Sequence, residues 1–445
     1  MLSSAASGRR LPTLAVTLAF VAACGGDQAA WERHWWNTAA KVGVMPELAG
    51  GGPPPAASGP VPAAARRSSQ LAPPAQLPMG STSFVGRTAE LAAAVSVLTR
   101  PGPARMPLLI SGPIGVGKAA FALRLAEEVA GEFPDGQLYA DFGSGAPGSR
   151  SVAEIVRDFL RALGVPDDLV PGDGVQQIGL YRSLLAQRRL FVLLDGVADE
   201  GQVRPLLGQT ARSQVVLTSR ARLLGLDDLH RVDLDVFSRG ESLELLGRLA
   251  GARRVAAERA AADAIAQQCG DLPLAVNIAG RKIAARPERT IADTAGRLDD
   301  PERLLDGLGV GDVNVRDRFA AAYRLLSPAC RQVVHRLGAD GARWTTATRV
   351  AACLDIRTTD ADELLESLVD AGVLRRATIG DRYTVPRLAG VFAAETSPAT
   401  LPAPISLAER RARRSVLAAP RTAAGLRSGM DLPQAGYLPL LGLPD

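Results

Sequence analysis

Residues 81–235 predict an α/β domain built on a parallel sheet with helices on both faces, and three observations predict it. An apolar run, Met106–Ser111, leads into a glycine-rich loop and then a helical pattern. Two further short runs, Leu190–Leu194 and Gln214–Thr218, have the unbroken hydrophobicity of strands covered on both faces. The composition agrees. With 47% apolar residues but 4% aromatics, the cores are filled by Ala, Leu and Val, which suits helices and buried parallel strands and disfavours an aromatic-rich sandwich.

At 445 residues the chain has room for roughly three domains, at about 150 residues each. Its net charge of +5 is modest for that length and permits nucleic-acid binding without arguing for it. Cys24, Cys269, Cys330 and Cys353 are scattered, with no C-x-x-C pair and no histidine at ligand spacing. Neither a zinc site nor a disulfide framework follows, and reduced thiols in a cytoplasmic protein are expected.

The first 45 residues admit two readings. Arg9-Arg10, an apolar run over 11–23 and the sequence Val21-Ala-Ala-Cys24 fit a lipoprotein signal acylated at Cys24 and anchored to a membrane. Against this, Leu11, Leu14, Leu18 and Val21 recur on one helix face, and Asp27 can cap a second helix carrying Trp31 and Trp35 on one side. Packed helices explain that spacing better, so no membrane partner is expected. His34 has no ligand partner at useful spacing and reads as an exposed helix residue. Residues 46–80, dense in Pro, Gly, Ala and Ser, read as a disordered linker.

The loop itself reads Gly112-Pro-Ile-Gly115-Val116-Gly117-Lys118-Ala119-Ala120, followed by the helical pattern Phe121, Leu123, Leu125, Ala126. Strand, glycine loop and helix in this order form a P-loop: the glycines turn backbone N–H groups inward on a phosphate, the helix start adds its positive end, and the lysine adds a full charge. Only three lysines occur, Lys41, Lys118 and Lys282, and one falls at the required place. The hydroxyl residue that should follow and help hold Mg²⁺ is replaced by Ala119, so any metal contact is weakened. Asp195, ending the second apolar run, is placed to reach Mg²⁺, but Gly196 offers no adjacent carboxylate to activate a water. Arg220 follows the third run, where strand ends of an open α/β sheet face a phosphate.

These segments resemble the NB-ARC domain of signal-transducing ATPases of the STAND class, over residues 82 to 395. Phe84-Val85-Gly86-Arg87 with Glu90-Leu91 is similar to that family's opening motif, whose backbone and arginine lie near adenine. Asp135-Gly-Gln-Leu-Tyr139 resembles its next strand, and Thr218-Ser219-Arg220 its sensor strand. Cys269-Gly-Asp-Leu272-Pro273-Leu-Ala275 resembles its C-G-x-L-P-L-A motif, in which the proline packs on the base. Helical patterns from Arg316 and a strand over 382–385 resemble its winged-helix subdomain, which serves as an internal lid. Pro386-Arg387 stands where the family has a His-Asp pair clasping ADP. The N-terminal stretch resembles the end of an actinobacterial Xre-type helix-turn-helix, truncated at Met1, which leaves DNA as an uncertain partner.

The resemblance implies a helix-turn-helix remnant at 1–45, a P-loop domain at 81–235, a helical subdomain at 236–310 and a winged-helix subdomain at 311–395, while composition marks the linker at 46–80 and a low-complexity tail at 396–445. It implies an ADP- or ATP-binding regulatory switch, a transcriptional regulator or a degenerate relative of one, with weak or no ATP hydrolysis and with self-association on activation. An active ATPase using Asp195 and the lipoprotein acylated at Cys24 are the alternatives.

Overall fold

The apolar runs become neighbouring strands of one sheet because their alternate side chains find helices on opposite faces. The computed structural model describes residues 72–396 apart from 101, 103, 144–149, 209 and 378–379, together with residues 17, 18, 21, 27, 30–32, 34 and 35. Strands β1 (Leu108–Ser111), β2 (Gln137–Asp141), β3 (Phe191–Val197), β4 (Gln214–Ser219) and β5 (His230–Asp233) pair in the order β2-β3-β4-β1-β5, every pair parallel. The helices around them are α1 (Thr88–Thr99), α2 (Lys118–Glu128), α3 (Val152–Ala162), α4 (Gly174–Gln187) and the single turn α5 (Glu200–Val203).

Strand alternation divides the core in two. Leu109, Val192, Leu194 and Leu217 pack with Phe159 of α3 and Tyr181 of α4. Leu108, Ile110, Leu193 and Val216 pack on the opposite face with Phe121 and Leu125 of α2 and Leu98 of α1. Helix starts follow their caps: Ser151 and Glu154 form a reciprocal capping box on α3, and Asp173 caps α4.

The chain then becomes helical: α6 (Arg239–Ala250), α7 (Ala252–Ala257), α8 (Arg259–Gln268), α9 (Pro273–Ala284), α10 (Ile291–Leu298) and α11 (Pro301–Gly307). A two-stranded hairpin, β6 (Gly309–Val310) and β7 (Val313–Asn314), leads to a third unit. This comprises α12 (Val315–Leu325), α13 (Pro328–Ala339), β8 (Trp344–Thr345), α14 (Ala347–Leu354), α15 (Thr358–Asp370), β9 (Arg375–Arg376), β10 (Tyr383–Thr384) and α16 (Arg387–Thr396). Its sheet is antiparallel in the order β8-β10-β9. The helical and third units share one continuous core, in which Leu246, Ile265 and Leu305 join Phe319, Leu365 and Phe392.

The expected linker is shorter than composition suggests. Residues 74–76 lie against the open edge of β2, where the Gln137 amide donates to the Pro74 carbonyl at 2.6 Å and the Gln76 amide to the Gln137 carbonyl at 3.1 Å. Proline favours the extended backbone that an edge strand can pair with, so Pro-rich sequence here covers an edge. Of the first 45 residues, the structure supports one local reading: the Asp27 carboxylate accepts the Ala30 amide at 3.2 Å, as an N-cap does. The helix-turn-helix segment as a whole, Cys24 and residues 397–445 lie outside the described residues. Among the described residues no helix is long and apolar enough to cross a membrane.

Gly338 shows how closely α13 meets α16. A Cβ there would lie 2.4 Å from the Ala393 carbonyl carbon. Alanine normally stabilises a helix over glycine by about 1 kcal/mol, but here Gly338→Ala is expected to destabilise by about 1–3 kcal/mol through overpacking. Urea unfolding decides the sign, and a raised midpoint would refute the packing.

Candidate functional site

The phosphate loop owes its path to three glycines in left-handed or otherwise positive-φ conformations. Gly112 has φ +147°, and a Cβ on it would lie 2.3 Å from the Leu234 carbonyl oxygen, so this position has no space for a side chain. Gly115, at φ +76°, lies against Leu272 and Leu274 of the helical unit, and its carbonyl accepts the Leu274 amide at 3.1 Å. Gly117, at φ +92°, precedes α2, which begins at Lys118 without a side-chain cap. The first-turn N–H groups of α2 are thus left for a ligand, and the helix dipole favours an anion there.

A cavity of about 640 Å³ opens over this loop. Its floor is Gly115, Val116, Gly117, Lys118, Ala119 and Ala120. Phe84, Val85 and Arg87 form one wall, Asp195 and Arg220 come from the strand ends, and Pro273 comes from the start of α9. The remaining expected residues act from behind. Gly86, at φ +64°, makes the turn that brings Arg87 beside Glu241; Gly112 backs onto Leu234; Leu272 precedes Pro273 and packs on Gly115. Pro386 and Arg387 lie outside the cavity, beside Cys269 and Gly270 in a separate small cleft.

Arg87 proves to be a structural tie as well as a wall. Its guanidinium donates to the Asp235 carbonyl and pairs with Glu90 at 3.3 Å, stacked over Phe237 at 5.2 Å, while its amide donates to Glu241 at 3.0 Å. It thereby joins the opening segment to the start of α6. Pro273 is set at the first position of α9 by Asp271, which has φ +53° and accepts a two-pronged pair from Arg239 at 2.8 and 2.9 Å.

Several polar groups at the strand ends were not singled out by sequence reasoning. Thr218 donates its hydroxyl to one Asp195 oxygen and accepts the Gly196 amide at 2.9 Å; Tyr139 donates to the other oxygen at 3.5 Å. Asp141 stands opposite Asp195 in the strand register and also faces the cavity, as do Asn277 of α9 and Arg318 of α12. Gly196, at φ +72°, sits in a register shift between β3 and β4, a backbone that favours glycine. Tyr139 and Thr218 lay inside recognisable strand motifs, so their position after the apolar runs was the available signal. Asn277 and Arg318 carried none.

Burial controls the electrostatics. The Lys118 ammonium donates to the carbonyls of Gly112 at 2.8 Å and Pro113 at 2.9 Å. Desolvation and then repulsion from Arg220 push its pKa down to about 7, with Asp195 acting in the opposite direction. Burial likewise raises the Asp195 carboxyl, opposed by its Thr218 hydrogen bond, and lowers the Arg220 guanidinium. A cavity holding a buried lysine is suited to a polyanion. The glycine cradle, the uncapped helix start and a volume within the roughly 300–1,000 Å³ of ligand pockets fit a nucleotide. A metal held by the protein alone fits poorly: Ala119 offers no side-chain oxygen, and the described residues contain no group of three His, Cys, Asp or Glu able to hold one.

Comparison with known proteins places this chain beside one regulator. It is 40% identical over 322 residues to Regulatory protein AfsR of Streptomyces griseus and 39% identical over 327 residues to that of Streptomyces coelicolor, each match covering 72% of this chain and 33% of the relative. The chain thus spans about a third of the length of the curated relatives it matches. No family model matches. A Walker-type ATPase of Pyrococcus abyssi is similar at a TM-score of 0.49 and 13% identity, covering 70% of this chain and 96% of that one.

The Lys118 burial has a measurable consequence. In the unfolded chain its pKa returns to the ordinary lysine value of 10.5, so between about pH 7 and 10.5 the unfolded state binds the extra proton and stability rises with pH. Relative to Lys118→Met, the unmodified protein is expected to gain unfolding free energy between pH 6 and pH 9 in urea titrations. A difference that stays flat would show that the lysine is not buried in this way.

Proposed function

We propose that the chain is an ADP- or ATP-binding regulatory switch, with the phosphates over residues 112–118 and the helical and third units closed around the nucleotide. One observation carries this reading: the cavity wall is drawn from the loop, from Pro273, Leu274 and Asn277 of α9, and from Arg318, Ala321 and Leu325 of α12. A ligand touching all three units has different contacts when they separate, which is the condition for biasing a two-state equilibrium. The similarity to one third of a protein named as regulatory supports the same class.

In this reading Gly115, Gly117 and Lys118 bind phosphate, Arg220 senses it, Pro273 and the Phe84–Arg87 wall accommodate the base, and the third unit is a winged helix used as a lid. When bound, Mg²⁺ would add charge neutralisation at the phosphates, with Asp195 as its protein contact. Ala119 weakens that contact and makes hydrolysis slow or absent. Self-association, transcriptional regulation, DNA contact through the N-terminal segment and a cytoplasmic location belong to the same proposal. A second reading as an active ATPase is favoured by Asp195, Asp141 and Thr218 standing together at the cavity.

Calorimetric titration with ADP and ATP, with and without Mg²⁺, tests this. The unmodified chain is expected to bind with little gain from Mg²⁺, and Lys118→Ala to weaken binding about tenfold to a hundredfold, as for loss of a charged hydrogen bond. Ala119→Thr should introduce a Mg²⁺ dependence by restoring the hydroxyl. Absence of binding would sink the switch reading, while Lys118-dependent phosphate release at steady state would favour the ATPase.

A further inference from the structure

Helix α12 presents two consecutive residues to two different places. Phe319 is buried and lines the small cleft behind the phosphate loop with Ile114 and Leu272. Arg318 lies on the exposed side and faces the main cavity together with Ala321 and Leu325, at the i, i+3, i+7 spacing of one helix face. The phenylalanine therefore seats the helix against the loop while the arginine reaches the ligand side.

Arg318 differs from the neighbouring arginines in what it contacts. Arg316 is engaged by Glu395 at 3.0 Å and by Asp306, and Arg375 of the same unit pairs with Asp235. Among the described residues Arg318 makes no ion pair or hydrogen bond, although it has five donors available in a rigid fork. Pro386 and Arg387 line the other cleft, so neither places a cation in the main cavity from this unit.

The charge arrangement suggests what that fork is for. Lys118 and Arg220 face the cavity with the carboxylates of Asp141 and Asp195, and Ala119 contributes no metal contact. A nucleoside polyphosphate would bring several further negative charges into this space. We propose that Arg318 is a phosphate-binding residue supplied by the third unit, so that a nucleoside di- or triphosphate is neutralised by cations from the loop, the sheet and α12. This deepens the nucleotide reading and rests on it. Its consequence is that the third unit recognises the phosphates directly, without the clasp absent at 386–387.

The test compares the unmodified chain, Lys118→Ala, Arg318→Gln and Arg318→Lys by calorimetry with ADP and ATP in Mg²⁺-free buffer, alongside the thermal midpoint without nucleotide. The expected result is at least fivefold weaker binding for Arg318→Gln, within the range for a lost charged hydrogen bond. Partial recovery by Arg318→Lys and an unchanged nucleotide-free midpoint would accompany it. If Lys118→Ala loses binding but Arg318→Gln stays within fivefold, the proposal is overturned and the nucleotide reading stands. If Arg318→Gln also lowers the nucleotide-free midpoint, Arg318 is structural and the proposal is overturned. If the unmodified chain binds neither nucleotide, both the reading and the proposal fall.

Discussion

The wedging of residues 112–115 between three parts of the fold is the constraint on which the rest of the structure depends. Gly112 is pressed against the Leu234 carbonyl just past β5, Gly115 against Leu272 and Leu274 at the start of α9, and Gly372 of the third unit brings its backbone up to the Ile114 amide. A Cβ on Gly372 would stand 3.1 Å from that amide, and its φ of +73° already requires a turn that glycine adopts easily. The Gly115 carbonyl accepts a hydrogen bond from α9, so the helical unit helps to hold the loop. Close-packed contacts of this kind change between discrete arrangements more readily than they deform.

That placement also explains the uneven chemistry of the cavity. Burial depresses Lys118 and raises Asp195, so the charged form of each is disfavoured in the cavity. Asp195 is already committed to Thr218 and to a longer contact with Tyr139. The loop has a glycine backbone and a buried lysine, while Ala119 has no hydroxyl and Gly196 no carboxylate.

Arginine does most of the long-range joining. Arg87 ties the opening segment to residues 235–241, Arg239 sets the turn before Pro273, and Arg375 attaches the third unit to Asp235. The planar fork suits these roles because it makes two directed hydrogen bonds at once. Arg387 shows the limit of reading such residues from a motif: it lies in the cleft beside Gly270, with its Nε buried and without a hydrogen-bond partner among the described residues.

Local sequence determined the pieces whose causes are local. The strand runs announced themselves by continuous hydrophobicity, the phosphate loop by its glycines and Lys118, and the missing metal hydroxyl by Ala119, because each depends on neighbours within a few residues. It did not announce the pairing of residues 74–76 with β2, since composition does not reveal an open strand edge nearby. Only the tertiary structure decided that Gly112, Gly86 and Leu272 support the cavity from behind, that Arg87 is held by Asp235 and Glu90, and that Arg318 faces the cavity while Arg387 does not. Those outcomes depend on packing between segments separated by 100 residues or more in several cases, as between Arg87 and Asp235, and side-chain direction across such distances is set by the shared core rather than by adjacent sequence.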